Sequence, residues 1–189
     1  MFRPEIWGPV VWNLLFSIAF NCSDDCTPEV VFMLQLLERL LPCSKCRTSY
    51  GKHRTKLLKK YGTLKNMTSV QRWLYDMKNM VNHDLKQPTV SFDSLALKYK
   101  MFDHTINDVQ LADVLMLFAL TTQKQDEEPF MKFCHTVGSL MGGFYKGPFP
   151  VLLQYVDLPC TTSVLNCVNA LRRNYGMNER SQSHYNVAE

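Results

Sequence analysis

Two cysteines three residues apart, Cys43 and Cys46, carry the clearest chemical pattern in the chain, within Leu41-Pro42-Cys43-Ser44-Lys45-Cys46-Arg47. Such a pair at the start of a helix can form a small disulfide that is easily reduced. The positive end of the helix dipole and the adjacent Lys45 and Arg47 stabilise a thiolate, which lowers a thiol pKa from about 8.5 toward neutrality. The pattern predicts a redox-active disulfide, and two buried structural thiols are the alternative.

Zinc binding is a second interpretation of these cysteines. Cys22 and Cys26 precede Cys43 by a spacing close to that of zinc ribbons. Residues 28–41, however, have the pattern of a helix about 21 Å long, which would hold the two pairs apart. The spacing leaves redox, zinc and structural roles open, and we assign none of the five histidines to a metal. A zinc-stabilised module that binds nucleic acid or protein is therefore the alternative function.

A polar stripe lies on a later helix. Lys78, Asn82 and Lys86 are spaced by four residues, with Asn79 beside them, so they share one helix face. Such a stripe can hydrogen bond a polar, anionic ligand, and a solvated surface is the alternative.

Helical periodicity recurs in the elements that must position these residues, and strand patterns are weak. The sequence therefore predicts an all-α fold. Thr27 is the predicted N-cap of a second helix, Gly51 predicts an irregularity in the third, and Thr68 or Ser69 is the predicted cap of the fourth. Four helices within about 85 residues predict an antiparallel bundle. The predicted helices cover residues 7–20, 28–41, 43–61, about 69–86, 108–123, 126–141 and 164–173.

Composition excludes several classes of protein. The 189 residues are 46% hydrophobic and 20% charged, with a net charge of +4, which excludes collagen, a coiled coil and a disordered chain. Residues 7–20 are apolar but too short to span a bilayer, and no signal-peptide cleavage site follows them. We expect a protein without a membrane span that is not secreted, and no specific binding of nucleic acid.

The motifs together resemble one family. Trp12 and Phe16, the Leu-Pro-Cys43-x-x-Cys46-Arg segment, Trp73, and the run Lys78-Asn79-Met80-Val81-Asn82 with Leu85 are similar to the Erv/ALR family of FAD-linked sulfhydryl oxidases. The similarity is greatest to the short members encoded by large DNA viruses, and it covers about residues 5–99.

This resemblance implies a four-helix bundle, residues 1–95, that holds FAD beside the Cys43–Cys46 disulfide. The implied activity oxidises thiols of protein substrates to disulfides, passes the electrons through FAD to oxygen and produces hydrogen peroxide. The missing cleavage site leads us to expect the cytoplasm or nucleus of a host cell, and the viral resemblance adds the virion. A homodimer is left open. The residues implied in cofactor binding are Gly8, Trp12, Phe16, Cys46, Trp73, Lys78, Asn79, Val81, Asn82, Leu85 and Lys86.

The chain also departs from the family pattern. Phe16 and Lys78 stand where the family commonly has His, so the cofactor contacts at these positions must differ. Residues 96–175 form a predicted helical extension without a family counterpart, and 176–189 a mobile tail. Family members often relay electrons through a second Cys pair on a flexible arm. Cys160 and Cys167 are the candidates for that shuttle, on a predicted exposed loop, and Cys22 with Cys26 is the other candidate pair.

Overall fold

The computed structural model describes residues 4–100 and 107–180, and these form nine α-helices and no β-strand. The all-α prediction is confirmed. Single 3-10 turns over Asp24–Cys26 and Lys124–Asp126 precede the second and seventh helices. The helices are α1 (Pro4–Asn21), α2 (Thr27–Leu40), α3 (Ser44–Tyr61), α4 (Met67–Asp84), α5 (Phe92–Lys100), α6 (Asp108–Thr121), α7 (Glu127–Gly142), α8 (Phe149–Leu153) and α9 (Cys160–Asn174).

The first four helices form the predicted bundle. α1 packs against α4, α2 against α3, and α3 against α4. Apolar side chains at helical spacing fill the space between them, and Leu14, Met33, Leu37 and Met77 are at most 2% exposed. This core holds the N-terminal ends of α1 and α3 in a fixed relation, and both ends contribute to the site described below.

Two predicted helix starts are wrong by one to three residues. Cys26, and not Thr27, is the N-cap of α2. The N-cap of α4 is Asn66, whose side chain accepts a hydrogen bond from the Ser69 N–H at 2.9 Å. Ser69 completes the capping box by accepting from the Asn66 N–H at 3.3 Å. Ser69 therefore takes part in the cap, but as the third residue of the helix and not as the predicted N-cap.

α3 runs without interruption through Gly51, where the sequence predicts an irregularity. Glycine at this position lets the side chain of Glu38 on α2 lie close to α3, because a Cβ here would be 2.7 Å from Oε1 of Glu38. The Glu38 carboxylate accepts a hydrogen bond from Nε of Arg54 at 2.8 Å, which ties α2 to α3. The helix ends at Gly62, whose φ of +62° favours glycine, as predicted.

The sequence does not predict α5, which packs against α1 and α4. Tyr99 is buried, its ring stacks on Phe16 with centroids 5.2 Å apart, and its hydroxyl donates to Oδ1 of Asn13 at 2.6 Å. A boundary at residue 95 would divide this helix, so we extend the predicted bundle to Lys100.

The C-terminal helices form a second layer that repeats the order helix, 3-10 turn, helix seen in α1 and α2. α6 packs against α9 and α1, and α7 packs against α8 and α2. An ion pair between Arg39 and Asp126 joins the end of α2 to the start of α7. α8 is not predicted by the sequence, and α9 begins at Cys160 and not at residue 164. Residues 181–189 of the predicted tail lie outside the described residues.

Among residues 4–100 and 107–180, no helix combines the length and the apolar character that crossing a membrane would require.

Candidate functional site

The two cysteines of the C-x-x-C motif lie at the N-terminus of α3. Cys43 is the N-cap, and its sulfur accepts a hydrogen bond from the backbone N–H of Cys46 at 3.3 Å. Both side chains are partly buried, and both are thiols in this structure. The first turn of α3 therefore brings the two sulfurs together, with Cys43 at the start of the helix and Cys46 one turn into it.

Burial raises the pKa of the Cys46 thiol to about 12, and the neighbouring Cys43 sulfur adds to this shift through its hydrogen bond and its charge. Arg47 acts in the opposite direction and lowers the pKa. The guanidinium of Arg47 donates to the backbone oxygen of Leu41 at 2.6 Å, so it is engaged at the end of α2. The prediction of a thiol pKa near neutrality is therefore wrong for Cys46 in the dithiol form.

An apolar cavity of about 380 Å³ opens beside these sulfurs, between α1, α3 and the end of α4. Its wall includes six of the residues named from the sequence: Gly8, Trp12, Cys43, Cys46, Val81 and Leu85. Lys45, named only for its charge, also lines it. The sequence did not indicate Pro4, Trp7, Val11, Leu15, Leu41, Ser49, Tyr50 and Asp84.

The sequence could have indicated Tyr50. It follows Cys46 by four residues and therefore lies on the same face of α3. It is buried, and its hydroxyl donates to the backbone oxygen of Leu34 at 2.7 Å. Burial raises its pKa well above the usual range. This bond fixes the ring between α2 and α3 as a rigid part of the cavity wall.

Two other aromatic residues named from the sequence lie behind the wall. Phe16 is 1% exposed and stacks on Trp12, with ring centroids 5.8 Å apart. Trp73 is 2% exposed and meets Tyr50 edge to face at 6.3 Å. Each of them supports a wall residue and does not itself line the cavity.

The polar stripe of α4 does not act as one surface. Asn79 holds the α4–α5 connection, because its side chain donates to the Val90 oxygen at 3.1 Å and accepts from the Val90 N–H at 2.9 Å. Asn82 is buried and donates to the Pro88 oxygen at 2.8 Å. These contacts match neither the ligand contact nor the solvated surface expected for the two amides.

The two lysines of the stripe are separated by the end of α4. The Lys78 ammonium lies 5.0 Å from the centre of the Trp12 ring, a cation–π contact. Burial, and then the charge of Lys98, lower the pKa of Lys78. Lys86 is exposed in the loop after α4, with a φ of +54°.

A second, larger cavity of about 760 Å³ extends along the outer face of α3. It meets the apolar cavity at Lys45, Ser49 and Asp84, which line both. Oδ2 of Asp84 accepts from the Ser49 hydroxyl at 3.0 Å and faces Nε2 of His53 at 2.8 Å. The hydrogen bonds from Ser49 and His53 lower the pKa of Asp84.

The other N-terminal cysteines lie at the far end of α2. Burial and the adjacent Cys26 raise the pKa of Cys22 to about 12, and its thiol faces the Leu140 oxygen at 3.7 Å. α2, with 14 residues, separates this pair from Cys43 and Cys46. In the described ranges no group of three or more His, Cys, Asp or Glu is placed to hold a metal. The interpretation of the four cysteines as one zinc site is therefore wrong.

The C-terminal cysteines are buried. Cys160 is 1% exposed and its thiol donates to the Glu127 oxygen at 3.3 Å, while Cys167 is 8% exposed and donates to the Leu152 oxygen at 3.2 Å. Both lie on α9, seven residues and thus about 10 Å apart, beyond the reach of a disulfide. The prediction of an exposed loop is wrong. Cys134 is fully buried, as expected of a core residue.

Comparison with known protein families gives one match: residues 9–101 match the family model described as the Erv1 / Alr family. The match begins within α1 and ends just after α5, so it includes the cavity-lining residues of α3 and α4 and those of α1 that follow Gly8. No curated protein and no solved structure matches the chain.

Proposed function

From the match of residues 9–101 to the Erv1 / Alr family, a family of FAD-linked sulfhydryl oxidases, we propose that this chain is such an oxidase and forms disulfides in protein substrates with oxygen as the acceptor. The observation that carries the proposal is the apolar cavity itself. Residues that are far apart in the sequence, on α1, α3 and α4, form its wall around the Cys43 and Cys46 thiols.

The residues present fit a flavin. The cavity lies within the range of about 300–1,000 Å³ found for small-molecule sites, and its aromatic walls suit a flat ring system. Nε1 of Trp7, a residue of this wall, is buried and has no hydrogen-bond partner among the described residues. The residues that would hold FAD are Trp7, Gly8, Trp12, Cys46, Tyr50, Val81 and Leu85. FAD, when bound, would accept the electron pair of the dithiol and pass it to oxygen, giving hydrogen peroxide.

The two departures from the family pattern have a common consequence. Trp12 contacts both the ring of Phe16 and the ammonium of Lys78. Aromatic stacking and the cation–π contact each favour one orientation of the indole ring. We infer that Phe16 and Lys78 position Trp12 and that neither needs to touch the cofactor.

The reaction of the cysteines follows from their positions. A substrate thiolate attacks the sulfur of Cys43, forms a mixed disulfide and releases Cys46. A second substrate thiol then attacks the substrate sulfur of that mixed disulfide, which completes the substrate disulfide and releases Cys43. Two thiols of the substrate thereby lose two electrons and two protons, and the Cys43–Cys46 disulfide gains them.

The position of Cys43 supports its role as the sulfur that substrates attack. It lies at the start of α3, beside Ser44 and Lys45, which lead into the open cavity along that helix. Its sulfur accepts the Cys46 N–H at 3.3 Å, which holds it at the first turn of the helix.

The test combines flavin content with activity. The purified protein should show flavin absorbance and should consume oxygen when dithiothreitol is added. Trp12→Ala should weaken flavin binding at least about fivefold, because aromatic stacking contributes about 1 kcal/mol beyond burial. Phe32→Ala, which removes a partly exposed ring on α2 away from the cavity, is the matched control. A folded protein that carries no flavin and cannot be reconstituted with it would refute the proposal.

Three finer features of the proposal rest on the sequence resemblance. These are the likeness to viral family members, a location in the host cytoplasm, the nucleus or the virion, and a homodimer. Within the described structure, α6 packs against α1 and α7 packs against α2 of the same chain. A second copy would therefore have to contact other faces of the bundle.

A further inference from the structure

The cavity along the outer face of α3 is positively charged and has no role in the chemistry described above. Lys45, Lys52 and Lys56 line it, and all three are exposed. In the described part of the chain, none of these lysines forms an ion pair. Other basic residues of α3, Arg54 and Lys60, do pair with carboxylates. The three ammonium groups of the groove therefore have no directly paired carboxylate among the described residues.

Asp84 is the one acidic residue among the described residues that line the groove, and its carboxylate offsets part of this charge. Its Oδ2 accepts the Ser49 hydroxyl and faces Nε2 of His53 at the inner end of the groove. Three lysines and one carboxylate still leave the groove with a net positive charge. The groove thus offers exposed, unpaired ammonium groups along one open side, which suits a ligand that carries several carboxylates and must also leave.

The groove leads directly to the sulfur that substrates attack. Ser44 and Lys45, next to Cys43, form its inner end, and Lys56 lies near its outer end. Along the helix, Lys52 is about 14 Å and Lys56 about 20 Å from Cys43. An extended polypeptide covers about 3.3 Å per residue, so these distances correspond to about four and about six residues.

We propose that this groove docks an acidic segment of the substrate protein, with Asp or Glu about four and about six residues from the cysteine that attacks Cys43. The inference rests on the proposed oxidase function. A nucleic acid is the less suitable ligand, because among the residues that the structure describes no Phe, Tyr or Trp lines the groove to stack on bases.

The test uses two synthetic dithiol peptides that differ only by Asp or Asn at positions four and six residues to either side of a Cys-x-x-Cys centre. At about 20 mM salt, the whole protein should oxidise the Asp peptide with at least a tenfold higher kcat/KM than the Asn peptide. In Lys52→Glu/Lys56→Glu, the ratio of the Asp-peptide rate to the dithiothreitol rate should fall at least tenfold. Lys59→Glu/Lys65→Glu makes the same charge change outside the groove and should keep the ratio. At about 1 M salt the preference should disappear, because screening acts within about 3 Å.

A binding measurement separates this inference from the proposed function. Fluorescent versions of both peptides, with Ser in place of Cys, are titrated with the wild-type protein and followed by anisotropy. An Asp preference in binding without any dithiothreitol oxidation would refute the oxidase and retain the docking groove. Oxidation without an Asp preference would refute the groove. Equal losses in both lysine variants, loss of flavin in Lys52→Glu/Lys56→Glu, or displacement of the Asp peptide by a 12-nucleotide DNA at lower concentration would also overturn it.

Discussion

The raised pKa of Cys46 leads to a quantitative prediction about its reactivity. With a pKa of about 12, only about 1 in 10,000 Cys46 thiols is ionised at pH 8. An ordinary cysteine of pKa about 8.5 is about one quarter ionised at that pH. Alkylation requires the thiolate, but a thiolate of higher pKa is intrinsically the better nucleophile and recovers part of this loss. Cys46 in the reduced, flavin-free protein should therefore react with iodoacetamide on the order of a hundredfold more slowly than an ordinary cysteine.

The assay is pulsed alkylation followed by mass spectrometry of the peptide that contains Cys46. The same residue in protein unfolded by guanidinium is the reference, since it has the same chemistry without burial. Restricted access to the thiol would also slow alkylation, but that effect does not depend on pH. We therefore expect the folded-state rate to rise about tenfold per pH unit from pH 7 to pH 10, while the rate in the unfolded protein levels off above about pH 9.

The variant Cys43→Ala tests the causes of the shift. It removes the hydrogen bond and the charge of the neighbouring sulfur but leaves the burial of Cys46, which is the first cause. Alkylation of Cys46 should therefore become faster than in the wild-type protein and stay slower than in the unfolded reference. A rate for folded Cys46 close to the unfolded reference at pH 8, or a slow rate that does not vary with pH, would refute the reasoning.

Three further changes test other parts of the structure. Asn79→Ala should lower the free energy of unfolding by about 1–3 kcal/mol in urea denaturation, because the Val90 N–H and oxygen lose their partner; Asn79→Asp, which keeps the acceptor, should cost less. Gly138→Ala should lower the free energy of unfolding by about 1–3 kcal/mol, since its Cβ would lie 2.7 Å from a backbone oxygen of α8. An unchanged melting temperature would contradict this packing. Cys160→Ser/Cys167→Ser should leave the oxidation of a reduced protein substrate within about twofold of wild type, because both sulfurs are buried; a tenfold slower rate with unchanged dithiothreitol oxidation would restore the shuttle hypothesis.

The sequence predicts features set by local spacing and misses features set by contacts between distant segments. Helical periodicity located α1 to α4, and the C-x-x-C spacing placed Cys43 and Cys46 at the start of α3. Tyr99, in contrast, is buried through contacts with α1, and no local pattern marks its short helix. The pKa of Cys46 is missed for the same reason, since a helix terminus and nearby cations are visible in the sequence and burial is not.

The contact between the two layers explains why the C-terminal half matters for the candidate site. Trp7 lines the apolar cavity, and its ring meets Phe118 of α6 edge to face at 5.9 Å. Phe118 in turn stacks on Phe133 of α7 at 6.4 Å, and both are at most 1% exposed. Aromatic pairs of this geometry hold their rings more firmly than apolar contact alone. The outer layer therefore fixes one wall of the cavity from behind, as Phe16 does for Trp12, and the site depends on helices that lie outside the matched family segment.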